Sequence, residues 1–305
     1  MAKEWIIGNE TAKQMLARVV KERPLLLLPH PLHRVPLSVN NIVEIAGPSP
    51  SAKTEILIQM VANCILPKDR NGVEYGGLER PVLFIDLDCR LDVFRLSQIL
   101  KLRIAKANKK TGVGCEYDDV EVFKESMNRF SYTRCYNSFE FLAALKTLRY
   151  TLEKGRTLNV SGKEFRVLMI DNIGAFYWID RGLSSLPQRN PNRKNACLQT
   201  VFETVVNEIS KLLLLHPMLV LATKTVTSQV KSSYSRRGSG WSNIMYREYM
   251  PSIWQSFVTH RILVRASNDK RNVQNHVCYL AEWLLPALNV LDEFVVVDSG
   301  IFASI

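Results

Sequence analysis

The chain has 305 residues, of which 47% are hydrophobic, 9% aromatic and 23% charged, enough to bury a full core in one large domain or two small ones. Its 40 Lys and Arg against 29 Asp and Glu leave a formal charge of +11, and with no run of eighteen apolar residues a membrane-spanning protein is excluded. A basic balance of this size favours polyanionic partners only where the basic residues fall together.

At the start of the chain, Lys3, Glu4 and the polar stretch from Gly8 to Lys13 lack the apolar centre of a secretory signal, so an intracellular protein is expected. The six cysteines form no C-x-x-C pair, and reduced thiols are expected. The five histidines offer no zinc pattern. From Glu10 to Arg23, Met15, Leu16, Val19 and Val20 recur at helical spacing and predict a short amphipathic helix. Pro24, Pro29, Pro31 and Pro36 then suit neither a helix nor a central strand. This divides the chain into a helix and proline-rich linker at 1–37 and a core domain at 38–305, with Leu25 to Leu28 apolar enough to pack against the core or a neighbour.

The core opens with a β-branched strand, Asn41 to Ala46, a loop, and a helix from Lys53 to Leu66. Pro81 to Cys89 reads as a strand too apolar to have a wet face, and Leu91 to Ala105 as a helix. A short strand at Phe130 to Cys135 and a helix at Ser138 to Leu152 follow. Phe165 to Asp171 is the next buried strand, Ala196 to Leu215 a long helix, and Met218 to Ala222 a further strand. In the tail, Arg261 to Val264, His276 to Glu282 and Glu293 to Val297 are strands without helices between them. The expected fold is α/β, a mostly parallel central sheet with helices on both faces and an antiparallel or mixed C-terminal extension.

Between the first strand and its helix lies Gly47-Pro48-Ser49-Pro50-Ser51-Ala52-Lys53-Thr54, which fits G-x-x-x-x-G-K-[ST] except at Ala52. Backbone N–H groups of the turn and helix start would converge on a phosphate, Lys53 would add a point charge, and the Thr54 hydroxyl suits Mg²⁺. An ordinary tight turn between strand and helix is the competing reading. If position 52 requires φ > 0, its methyl group adds roughly 1 kcal/mol of strain. The strand ending in Asp171 has the form of a carboxylate-bearing partner that holds Mg²⁺ through water. Asp86 and Asp88 are delivered to the same carboxyl edge, where open α/β sheets bind ligands. Asp88 either orients an attacking water or caps the following helix. Two long loops also leave this edge: Arg181 to Asn195 holds four basic residues and Lys224 to Arg247 five, neither with a carboxylate. With Tyr177, Trp178, Tyr234 and Trp241 nearby to stack on bases, they read as DNA-contacting loops or as plainly solvated ones.

Taken together, NIVEIAGPSPSAKT, FIDLD, VLMIDNIGAFYWID and LATKT follow the order of a RecA-like P-loop ATPase core, and CILPK, AFYWIDR and YREYMPSIWQSFVTHR narrow the likeness. From about residue 38 to its end the chain resembles the eukaryotic RecA-like recombinase paralogues. The resemblance implies homologous recombination repair of DNA double-strand breaks, with a part in meiosis, inside a nuclear complex of paralogues whose direct neighbour is the D-type paralogue. It implies ATP and Mg²⁺ as ligands, contact with single-stranded or branched DNA through the complex, and Arg189, Arg193, Lys194, Lys231, Arg236 and Arg237 as the DNA-facing residues. Three positions depart from the active pattern. Ala52 replaces a glycine, Asp88 stands where a catalytic glutamate would end the second strand, and Thr225 fills the place of a phosphate-sensing glutamine. The first forty residues also lack room for the family's N-terminal DNA-binding helical domain and better suit docking on a neighbour. An assembly subunit with a degenerate ATP site is therefore expected, the alternative being an active DNA-dependent ATPase that remodels recombinase filaments.

Overall fold

The structure, a computed structural model, describes residues 11–14, 26, 28–111, 116–157, 166–184, 198–229, 245–267 and 277–304. The first strand of the core is β1 (Ile42–Gly47), followed by α1 (Lys53–Ile65) and a short hairpin of β2 (Asp69–Arg70) and β3 (Val73–Glu74). Then come β4 (Val82–Asp86), α2 (Val93–Thr111), α3 (Glu116–Asn128), β5 (Phe130–Arg134), α4 (Ser138–Thr157) and β6 (Arg166–Asp171). Next are α5 (Tyr177–Ser184), α6 (Leu198–Leu215), β7 (Met218–Thr225) and a second hairpin of β8 (Thr227–Gln229) and β9 (Met245–Arg247). The chain closes with α7 (Ser252–Phe257), β10 (His260–Ala266), β11 (Cys278–Leu285), β12 (Ala287–Val297) and β13 (Gly300–Ala303).

Nine strands form one sheet in the order β13-β12-β11-β10-β1-β7-β6-β4-β5. From β10 to β5 every pairing is parallel; from β10 to β13 every pairing is antiparallel. The antiparallel extension thus starts one strand later than the tail pattern suggests. The reason is α7, which turns the chain back so that β10 enters parallel to β1. Successive residues of the central strands serve opposite faces. Val43, Ile45, Phe84, Met169 and Leu221 pack under α1, α2 and α3, whereas Ile42, Ile85, Leu168, Ile170 and Val220 pack under α4, α6 and α7. Strands apolar at most positions on both faces are what a sheet covered on both sides requires.

Helix α3 has no counterpart in the sequence pattern, because Val122, Phe123 and Met127 carry its described core contacts while five of its thirteen residues are acidic. Helices α5 and α7, the two hairpins and β13 were likewise not anticipated, being too short for periodicity to register. Of the expected N-terminal helix, residues 12–14 are helical, and most of it lies outside the described residues.

Among the described residues between Leu26 and β1, regular structure is limited to a 3₁₀ turn at Leu32–Arg34 and the Leu26–Leu37 bridge, yet this segment is not a bare tether. Leu26 bridges to Leu37, its N–H donating to the Leu37 carbonyl at 2.6 Å. Leu26, Leu28, Leu32, Val35 and Leu37 are all buried in the same cluster that holds α1 and the C-terminal strands. Arg34 grips Asp292 of β12 through Nε and Nη2, the latter at 2.6 Å. Leu28, Leu32, Val35 and Leu37 are therefore part of the core's packing.

Candidate nucleotide-binding site

Register sets the site. Gly47 pairs with Thr225 across β1 and β7, and Asp86 with Asp171 across β4 and β6, so the ends of these strands reach one edge together. Gly47 is required there: a Cβ on it would lie 2.1 Å from the Val264 carbonyl oxygen of β10. A cleft of about 420 Å³ opens above this edge, lined by the loop from Ser49 to Thr54 and by Asp88, Arg90, Asp171, Asn172 and Thr225 among others.

α1 begins directly after Ala52, and no side chain caps its first turn, leaving the leading N–H groups free for an anion. Ala52 has φ 59° and ψ 16°, the left-handed region that the missing glycine would occupy without strain. The methyl group therefore costs about 1 kcal/mol, as the sequence predicts for φ > 0. Lys53 is 8% exposed and folds its ammonium onto its own loop, donating to the carbonyls of Gly47 (2.9 Å) and Pro48 (2.8 Å) and to Ser51 Oγ (3.0 Å). Burial pulls its pKa down to about 8, with the nearby Asp171 charge acting against that fall and Arg90 adding to it.

The Thr54 hydroxyl donates to Asp171 Oδ2 at 2.7 Å, uniting the two residues expected to serve Mg²⁺. Asp171 also accepts from Thr223, and burial raises its carboxyl despite both hydroxyl donors. Asp86 does not face the cleft. Fully buried, it accepts from the N–H groups of Asp88 (3.2 Å), Arg90 (3.3 Å) and Leu91 (3.2 Å) and from the Tyr132 hydroxyl (3.1 Å), pinning the bend after β4. Asp88 does line the cleft, but the capping reading fails for it. The start of α2 is capped by Asp92, which accepts from the Phe94 and Arg95 N–H groups at 2.8 and 3.2 Å. Asp88 instead pairs with Arg90, Oδ2 to Nε at 3.2 Å. Asn172, which the sequence reading missed, donates to Thr225 Oγ1 at 2.9 Å.

Beneath this edge lies a buried charge cluster. Glu44, fully buried on β1, accepts from Lys224 Nζ (2.8 Å), Arg261 Nε (2.7 Å) and Trp254 Nε1 (2.7 Å). Lys224 also reaches Glu248 at 2.7 Å. Burial pushes the Glu248 carboxyl up, but Lys224 and Arg261 outweigh it and hold it below its ordinary value. The clue available in the sequence was a glutamate inside the apolar strand NIVEIA. Next to Glu248, Tyr249 donates to the Thr225 carbonyl at 2.6 Å and packs against Tyr177 and Trp178. The return leg of the second basic loop is thus fastened to the floor of the cleft.

Arg189, Arg193, Lys194, Lys231, Arg236 and Arg237 lie outside the described residues. The elements from which their loops depart, α5 and the β8-β9 hairpin, follow β6 and β7 at the same carboxyl edge. Among the described residues no helix is long and apolar enough to cross a membrane.

The phosphate loop's uncapped helix start, the buried lysine and the Thr54–Asp171 pair fit a magnesium nucleotide. Compared with known proteins, the chain is 46% identical to the DNA repair protein XRCC2 homolog of Arabidopsis thaliana, over 97% of its own length and 89% of that protein's. It is 29% identical to the DNA repair protein XRCC2 of Mus musculus, over 76% of its own length and 74% of that protein's. No family model matches the chain.

Proposed function

Because the chain belongs to the XRCC2 family of DNA repair proteins, we propose that it works in homologous recombination repair of double-strand breaks as an assembly subunit of a nuclear recombinase-paralogue complex, beside the D-type paralogue. In this reading it keeps a MgATP site whose turnover is not the working step. The observation that carries it is Asp88 itself: the carboxylate that follows β4 lines the cleft where a catalytic glutamate would stand. It is one methylene shorter than a glutamate, and a water misplaced by about 1 Å reacts about 100-fold more slowly. Binding is retained by other groups. The amides opening α1 and the Lys53 ammonium would hold the phosphates, and Thr54 and Asp171 would hold Mg²⁺, which when bound offsets phosphate charge.

Complexes carrying wild-type chain or Lys53→Ala are expected to turn over ATP at rates within about twofold of each other, as for a site contributing no turnover. Null cells complemented with Lys53→Ala should survive interstrand crosslinking nearly as well as wild type. Survival no better than the null, with lost turnover, would favour the active DNA-dependent ATPase.

Lys53 also gives nucleotide binding a pH dependence. Its free-state pKa is about 8, and an arriving phosphate favours the charged form and raises it. Affinity is therefore full below that value and falls above it, by up to about tenfold per pH unit. Titration calorimetry at pH 7, 8 and 9 checks this, with proton uptake on binding near pH 8; a flat profile would remove Lys53 from the contact.

DNA contact is proposed through the two basic loops. Replacing Arg236 and Arg237 together by alanine should weaken binding of the complex equally for unrelated oligonucleotides. The salt slope should drop by about one to two units. Fluorescence anisotropy across a salt series reads both, and an unchanged slope would show that these arginines do not touch the backbone.

A further inference from the structure

We infer that Arg90 is the side chain by which this cleft distinguishes a nucleoside triphosphate from a diphosphate, supplied by the chain itself. The inference rests on the nucleotide-binding reading above. Arg90 stands at the cleft mouth, its side chain 55% exposed, with Nε on Asp88 at 3.2 Å and Nη1 on Ser49 Oγ at 3.5 Å. Both contacts are with groups on the cleft wall: Ser49 near the crest of the phosphate loop, Asp88 at the end of the β4 edge. The guanidinium is therefore held across the space between them by one ion pair and one long hydrogen bond, both exposed to solvent and cheap to exchange.

Charge balance shows why a second cation is needed. Glu55, Asp88, Asp92 and Asp171 all line the cleft, against Lys53 and Arg90; Glu55 is paired with Arg95 at 3.3 Å, which leaves three carboxylates against two cations. Lys53 sits at the base of the loop, its ammonium among the Gly47 and Pro48 carbonyls and Ser51 Oγ and within reach of one phosphate only. A phosphate seated on the amides that open α1 is served by that lysine and by the helix end. A further phosphate, extending toward Ser49 and Asp88, meets carboxylates unless Arg90 turns to it. A guanidinium presents a planar fork of donors that suits two phosphate oxygens at once, so exchanging Asp88 for a terminal phosphate replaces one anionic partner by a better one. The proximity of Arg90 to Lys53, which adds to the fall in the lysine's pKa, puts the two cations in one electrostatic neighbourhood. A diphosphate would leave Arg90 on Asp88 and gain nothing from it.

The test uses the full-length chain and fluorescent analogues of ATP and ADP with magnesium, read as equilibrium affinities. Wild type should bind the triphosphate about tenfold more tightly than the diphosphate, equivalent to about 1.4 kcal/mol. Arg90→Ala should bring that ratio close to one by weakening the triphosphate alone, the retained diphosphate affinity showing that the variant is folded. Arg90→Lys should fall between, and Asp88→Asn, which releases the arginine, should raise the ratio. An Arg90→Ala ratio equal to that of wild type, or equal losses for both nucleotides, overturns the inference while leaving the nucleotide site standing. Failure of wild type to bind either nucleotide overturns the site and the inference together.

Discussion

Lys224→Met is expected to destabilise the protein by about 3–5 kcal/mol, the usual cost of removing one partner from a buried ion pair. Lys224 is 2% exposed and Glu44 is fully buried. The cluster of Glu44, Glu248, Lys224 and Arg261 balances two negative charges with two positive ones over three strands and the end of a hairpin. Without the lysine, Glu44 keeps Arg261 and Trp254, but the cluster is left with a net negative charge and its centre at Glu44 is fully buried. The same change at Lys211, which pairs with Glu208 from a side chain 42% exposed, should cost below about 1 kcal/mol. Denaturant titrations followed by tryptophan fluorescence compare the two. A loss at Lys224 no larger than at Lys211 would mean that the cluster contributes nothing beyond packing.

The second large effect lies in the segment ahead of β1. Leu32 is fully buried in a 3₁₀ turn (Leu32–Arg34) beside the C-terminal strands, and Leu32→Ala should cost about 3–4 kcal/mol through lost transfer energy and a residual cavity. Deleting residues 1–36 removes Leu26, Leu28, Leu32 and Val35 from the core along with the Arg34–Asp292 pair. The product should aggregate, whatever its neighbours. That deletion therefore cannot report on partner docking, and deletion of 1–24 is the informative one. Soluble expression and thermal melting separate the two truncations; a folded protein lacking 1–36 would show that the segment merely rests on the surface.

The loop from Gly47 to Thr54 stands out in the sequence because its pattern is contiguous, and Asp171 because a charge closes an apolar run; that both line one cleft is what the fold adds. Their meeting through Thr54 follows once β1 and β6 are placed in one sheet with a single strand between them. The Glu44 cluster was not legible, since Lys224, Glu248 and Arg261 are drawn from three distant stretches and each alone reads as an ordinary surface charge. Arg90 was hidden for a related reason: one arginine in a turn has no periodicity, and its value comes from what faces it. Asp86 and Asp88 show the limit most clearly. Two residues apart on one strand end, they were equal in sequence, yet Asp86 turns inward to backbone amides while Asp88 faces the cleft. The prolines before β1 leave room, among the described residues from Leu26 onward, for only a 3₁₀ turn and one bridge, but such a backbone can still bury leucines, which composition alone does not tell.

Strand β1 has both neighbours far downstream in the chain: Ile42 N–H meets Thr259 Oγ1 across 217 residues, and its other edge pairs with β7. During synthesis at about 5–20 residues per second, such a separation corresponds to roughly 10–40 s in which the phosphate-loop strand is outside the ribosome with one edge or both still bare. An apolar strand with unpaired N–H and C=O groups is a template for wrong pairing. A message ending before β10 would make that condition permanent, so nascent and truncated chains are where this protein most needs chaperones, and where a cell can clear a defective copy before it reaches any assembly.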